Sequence, residues 1–304
     1  MKMNKPDIGS LLSVPNHRYL ENLLGFETDL ITLDGLPAEN VYMEKTSNTR
    51  KTNEYIENLI KERSAEITKN PKAKYNPRAR FEGSFYDNNI SRLDILWSDE
   101  RYMNHAALSV FFMEPKLPRH YKANLFTISG IPLTTDKKIP IVIRNPKATD
   151  HGRIRHIAPA GFVDVKPEGA ETPHEATERE FREELRYKDA EMFPQEIFNP
   201  SDMRVLGIVY NSLKNFDYTA SVLIPLNAES NDIYLKGEEH EEIEWVGTDY
   251  EGLKELLLDL SMTPDTNSGH LRGAVALTIG HIYGEDAYEE TLDRLVLDIF
   301  KSLK

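Results

Sequence analysis

Five charged residues crowd into six positions of the stretch GFVDVKPEGAETPHEATEREFREELRY, residues 161–187: Arg179, Glu180, Arg182, Glu183 and Glu184. In a helix, residues three and four apart share a face, so the three carboxylates lie along one edge. Like charges at that spacing repel by about a few tenths of a kcal/mol per pair. Two settings tolerate such a cluster. One is a solvated surface. The other is a site where a divalent cation neutralises the repulsion, and hard cations such as Mg²⁺ take oxygen ligands and suit carboxylates that face a phosphate-bearing substrate.

The element that presents these groups reads as a helix from Glu175 to Tyr187. Thr172 is its candidate cap, Pro173 stands at its first turn, and Ala176, Phe181 and Leu185 supply packing contacts. Ahead of it lie Arg144, Arg153, Arg155 and His156, a local basic cluster in an acidic chain and a candidate for anion contact, with plain loop charges as the alternative. Behind it, KGEEHEEIEWV carries Glu239, Glu241 and Glu242 in an acidic loop.

The 304 residues, 39% hydrophobic and 29% charged, suit one large domain or two modest ones. No run approaches the roughly 20 apolar residues of a membrane span, and the first residues lack the apolar core of a signal peptide, so a cytoplasmic protein is expected. With no cysteine, disulfides and thiolate metal sites are excluded. A net charge of −13 argues against broad nucleic-acid or anionic-membrane binding, and it requires any anionic substrate to find local cations or metal.

Three parts are expected along the chain. Residues 1–118 read as an α+β unit of unreadable function. It holds an amphipathic helix within 49–70, β-rich sequence from Arg78 to Met113, and a boundary near 115–122 where prolines and charges cluster. In residues 119–258 the runs Leu125–Leu133 and Ile139–Ile143, joined by Thr135–Lys138, read as a β-hairpin. MRVLGIVYNSL and YTASVLIPLNA read as strands, and Ile243–Val246 as a short strand leading into a helix. Residues 259–304 read as two helices split near Tyr283-Gly284-Glu285.

The focal stretch resembles the Nudix box, G-x5-E-x7-R-E-U-x-E-E-x-G-U with U aliphatic. Glu171 is followed by seven residues and then Arg179-Glu180-Phe181-Arg182-Glu183-Glu184, with Phe181 at an aliphatic position. Two departures stand out. Gly161 lies ten residues ahead of Glu171 instead of six, so either Val165–Glu168 is a four-residue insertion or Gly169 takes over part of the turn. Arg186 replaces the late glycine. The resemblance spans about residues 121–258.

It implies a mixed β-sheet sandwiched between helices, and hydrolysis of a diphosphate linking a nucleoside to another moiety, such as ADP-ribose, a dinucleotide or a nucleotide sugar. It assigns Glu180, Glu183 and Glu184 to Mg²⁺ or Mn²⁺, and Gly161, Glu171 and Arg179 to holding the loop against the helix. Glu183, Glu184, Glu239 and Glu242 are the candidates for catalysis, the general base staying open among the box and the later loop. Tyr210, Phe216 and Tyr218 could stack on a base or belong to the core, and Pro200 falls slightly early for a proline that marks ADP-ribose hydrolysis. The extra N-terminal unit resembles arrangements in which such a part dimerises the protein or covers the substrate, and a homodimer is expected. Two other readings compete: a non-catalytic nucleotide-sensing module of the same fold, and a diphosphate isomerase, against which the missing cysteine argues.

Overall fold

The computed structural model describes residues 26–67, 77–101, 104, 122–146, 153–190, 192–211, 217–237, 239–263 and 267–302. In chain order the strands are β1 (Phe26–Leu36), β2 (Val41–Lys45), β3 (Pro77–Asp87), β4 (Arg92–Arg101), β5 (Phe126–Leu133), β6 (Lys138–Arg144), β7 (Arg155–His156), β8 (Ala160–Phe162), β9 (Val165–Lys166), β10 (Gly169–Ala170), β11 (Leu185–Tyr187), β12 (Arg204–Asn211), β13 (Tyr218–Pro225), β14 (Ile233–Leu235) and β15 (His240–Gly247). The helices are α1 (Glu54–Ile67), α2 (Pro173–Glu184), α3 (Tyr250–Met262), α4 (Gly269–Tyr283) and α5 (Glu285–Ser302). The apolar run 107–113, Phe216 and the expected boundary at 118 lie outside the described residues.

The class is α/β, with a mixed central sheet ordered β1-β12-β13-β5-β8, in which β13 and β5 run parallel and the other neighbours antiparallel. Its inner strands β12 and β13 carry continuous apolar runs because both of their faces are covered. On one face Phe126, Ile128 and Val222 pack with Ala176 and Phe181 of α2 and with Leu93, Ile95 and Trp97 of β4. On the other, Ile131, Leu206 and Leu223 pack with Leu257 of α3, Val275 of α4 and Leu292 of α5. The helix α4 is mostly apolar and is buried from Gly269 to Gly280, His270 and Arg272 included. A Cβ on Gly273 would stand 2.9 Å from Val209 Cγ2, so the glycine lets this helix lie close on the sheet. No described helix is long and apolar enough to cross a membrane.

β1 precedes position 118 yet forms an edge of the central sheet, so residues on both sides of that position share one core. Strands β2, β4 and β3 form a second sheet in the order β2-β4-β3.

Two local expectations are corrected, and the loop left open ahead of α2 takes a defined path. The hairpin at 125–144 exists only at its turn, where the Thr134 N–H reaches Lys138 O at 3.1 Å. Beyond it β5 joins the central sheet, and β6 joins a separate sheet ordered β15-β6-β7. Pro132 and Pro140 each remove a donor that a β5–β6 ladder would need. The helix expected to reach Tyr187 ends at Glu184. Leu185–Tyr187 turn extended and pair with β14, while Lys236 serves the helix end, its N–H on Glu184 O at 2.6 Å and its ammonium on Arg182 O at 3.0 Å. Arg186 therefore sits in extended backbone, and no left-handed glycine is needed there. The stretched loop ahead of α2 is a small hairpin in which β9 pairs with β10 across Pro167-Glu168, Gly169 taking φ +143°.

Candidate metal and substrate site

α2 starts where it does because of a reciprocal cap. Thr172 Oγ1 accepts the Glu175 N–H at 3.2 Å, and the Glu175 carboxylate accepts the Thr172 N–H at 2.8 Å. Its rotation is set by Phe181, whose ring lies 4.4 Å from those of both Phe193 and Phe198. With Phe181 inward, Glu180 and Glu184 are drawn toward the sheet and Glu183 is exposed.

Arg179 ties the helix to the loop ahead of it. Its guanidinium donates to buried Glu171 at 2.9 and 3.1 Å, to Phe162 O at 2.8 Å and to Glu180 at 2.5 Å. Glu171 also accepts the Asp164 N–H at 3.2 Å and pairs with Lys166 at 3.1 Å. Burial alone would raise the Glu171 carboxyl, but the Arg179 and Lys166 cations outweigh it and hold it below its ordinary value. Burial likewise works against the Arg179 charge, and the bonds to Glu171 and Glu180 overcome it. Gly161 leaves room for all this: a Cβ there would stand 1.9 Å from Glu180 Oε1.

For half-buried Glu180 and buried Glu184 the effect of burial outweighs the neighbouring cations. Burial, reinforced by the Glu184 charge, pushes the Glu180 carboxyl up to about 7 despite Arg179. Burial, then the Glu239 charge, pushes Glu184 well above the carboxylate range. Glu184 bonds His240 Nε2 at 3.0 Å and accepts the Ala160 N–H at 3.5 Å. Burial first lowers the His240 imidazole to about 4, which favours its neutral form at neutral pH.

The remaining site candidates are placed as follows. Arg144 pairs with Glu239 at 2.5 Å, next to His240, which joins these two to the carboxylate helix. Glu241 and Glu242 are exposed on β15. Arg155 is engaged by Asp259 and lies 3.8 Å from Glu244. Arg153 is exposed at φ +65°. His156 is buried, with Nδ1 on Ile157 O at 2.7 Å and its ring edge-on to His270 at 5.9 Å; burial, then Arg144, hold it well below its ordinary value. Tyr210 and Tyr218 are core: the Tyr218 ring stacks on Phe81 at 4.3 Å and meets Tyr210 at 4.8 Å. Pro200 helps line a cleft of about 600 Å³ with Arg182, Met192, Phe193 and Phe198, and none of the three carboxylates lines it.

His240, Asp164 and Lys166 were missed. A lone histidine in an acidic run has no periodic signal.

Among the described residues no three acidic or histidine side chains are already gathered as a metal shell. The donor set nevertheless fits a hard divalent cation. Three carboxylates share one helical edge, and for buried Glu184 and half-buried Glu180 the nearby cations do not offset the effect of burial.

That shortage has a measurable signature. The folded chain holds the Glu180 proton to about 7 while an unfolded chain releases it near 4.5, so between these values the folded state binds more protons and loses stability as pH rises. The gap amounts to about 3 kcal/mol at 1.36 kcal/mol per unit. In urea unfolding with a chelator present, Glu180→Gln should gain about that much on the parent chain between about pH 4.5 and 8. A difference independent of pH would remove the burial argument.

No protein-family model matches the chain, and no curated protein matches it in sequence. Solved structures do match. DR0079 from Deinococcus radiodurans shares 17% identity over 50% of this chain and 80% of its own, with a TM-score of 0.37. A Nudix hydrolase from Alicyclobacillus acidocaldarius shares 13% over 51% of this chain and 90% of its own, at 0.36. An ADP compounds hydrolase shares 14% over 67% of this chain and 94% of its own, at 0.30. At these values the case for the site rests on its own residues.

Proposed function

We propose that the chain is a metal-dependent pyrophosphohydrolase that cleaves the diphosphate of a nucleoside diphosphate linked to another moiety. The observation that carries this reading is the Glu171–Arg179–Glu180 network, at the spacing of the box, with the buried Glu184 carboxylate on the same helix. Glu180, Glu183 and Glu184 would hold Mg²⁺ or Mn²⁺. When bound, the ion screens the diphosphate charge and lowers the pKa of a water.

The chain's own residues divide the remaining work. Arg179 fixes the loop against α2, and His240 orients Glu184 through the 3.0 Å bond. Arg144 is linked to this end of the helix through Glu239 and its neighbour His240, and Glu239 is half exposed, so an incoming phosphate can compete for the guanidinium. That exchange would free Glu239 to accept a proton from the attacking water, which makes it the favoured base over Glu242.

The test is a panel of ADP-ribose, dinucleotides and nucleotide sugars with Mg²⁺ or Mn²⁺, read for release of a nucleoside monophosphate. Release from at least one member is expected. Tight nucleotide binding with no turnover across the panel would establish the sensing module instead.

A further inference from the structure

We infer that Arg78, contributed by the early part of the chain, is a positioning residue for the carboxylate helix and acts through Asp164. The inference rests on the metal site of the preceding section and adds a part that the box does not contain.

β3 runs along the loop ahead of α2. Arg78 faces Asp164 in an antiparallel bridge, and the Ala79 N–H reaches Val163 O at 3.0 Å. Two residues on, Arg80 bridges Leu125, and the Phe81 N–H reaches Asn124 O at 2.9 Å, so the same strand also grips the start of β5. The backbone thus sets Arg78 opposite Asp164 independently of any side-chain geometry. Its buried guanidinium pairs with the Asp164 carboxylate and lies 5.5 Å from the centre of the Phe162 ring.

Phe162 and Asp164 are the residues whose backbones hold the network. Phe162 O accepts from Arg179 at 2.8 Å, while Asp164 exchanges two bonds with Glu171, at 3.2 and 2.9 Å. The path runs from Arg78 to these two residues, from them to Glu171 and Arg179, and from Arg179 to Glu180.

Charge competition makes Arg78 matter to Glu180. The Asp164 carboxylate stands 3.9 Å from the Arg179 guanidinium. With Arg78 present, Asp164 already has a cation, and Arg179 can serve Glu171 and Glu180. Without it, Asp164 is left with Arg179 as its nearest cation of those described above, and the guanidinium is drawn from Glu180 toward the loop. The carboxylate helix then loses the geometry in which Glu180 is held.

The experiment uses the full chain and Mn²⁺ alone, with free and bound ion separated by electron paramagnetic resonance, and folding checked by circular dichroism. Arg78→Gln is expected to weaken Mn²⁺ about tenfold, in line with losses seen when groups supporting metal ligands are removed. Arg78→Lys, which keeps the charge but loses the planar fork, is expected to weaken it about threefold. Adding Asp164→Asn to Arg78→Gln removes the competitor and should return the affinity toward that of the parent, a recovery that a merely structural role would not give. A folded Arg78→Gln chain with parental affinity, or a double variant weaker than the single one, overturns the inference. Where Arg78→Gln does not fold, Arg78→Lys is read in its place, and unchanged affinity overturns it. A parent chain that takes up no Mn²⁺ overturns the metal reading and this inference together; parental uptake with unaffected Arg78 variants overturns this inference alone.

Discussion

Glu183→Gln should leave a folded chain that has lost about 10³-fold of its turnover, several kcal/mol of charge stabilisation at 1.36 kcal/mol per tenfold. Glu183 is the exposed member of the three carboxylates, and among the described contacts it makes no hydrogen bond or ion pair. Exposed substitutions of this kind usually change stability by less than about 0.5 kcal/mol. The replacement is also isosteric, so the loss falls on the site and spares the fold. Turnover of the best member of the nucleotide panel, together with a thermal melt, checks both halves. Near-parental turnover would remove Glu183 from the metal shell. A large drop in melting temperature would show that the side chain supports the fold, and the activity loss would then carry no assignment.

The carboxylate helix was legible because its evidence is local. Thr172, Pro173 and Glu175 mark its start, and Glu180, Glu183 and Glu184 share an edge at helical spacing. The split between α4 and α5 was legible for the same reason, since Gly284 at φ +90° interrupts the helical run. Strands β12 and β13 announced themselves as apolar runs bounded by polar residues.

What stayed hidden depends on pairing at long range. The turn at Thr134–Lys138 reads as a hairpin whether or not the flanking strands remain partners; their parting into two sheets is decided by β13 and β15, about 80 and 100 residues downstream. Likewise nothing within β1 says that it pairs with β12, and nothing near Arg78 says that its partner is Asp164. The end of α2 was misjudged because Leu185-Arg186-Tyr187 continues a plausible helix. It stops where β14 offers a strand and Lys236 satisfies the last carbonyls. The substrate-facing cations were harder still. Of Arg144, Arg153, Arg155 and His156, only Arg144 is linked to the carboxylates, through Glu239 and its neighbour His240, and that link is a property of the β6–β15 register.

Gly161→Ala should separate the fold from the site. Gly161 lies in β8 with no left-handed backbone to strain, and what its absent side chain protects is the space taken by Glu180. An added Cβ would meet Glu180 Oε1 at 1.9 Å, Cδ at 2.2 Å and Cγ at 2.8 Å. These atoms belong to a flexible side chain, so a change of rotamer relieves the overlap at a cost of about 1 kcal/mol. The displaced carboxylate, however, leaves both the Arg179 guanidinium and the edge shared with Glu183 and Glu184. Mn²⁺ affinity and turnover are therefore expected to fall by about ten- to a hundredfold while the melting temperature drops by only a few degrees. Calorimetric titration of Mn²⁺ and a thermal scan of the same preparation read the two effects separately. Unchanged affinity would mean that Glu180 can be moved without consequence, which would leave Glu183 and Glu184 to account for any metal bound and would reduce Gly161 to a packing residue. A chain that fails to fold would place the tight contact on the backbone of α2, with the whole helix pushed off β8 instead of one carboxylate turned aside.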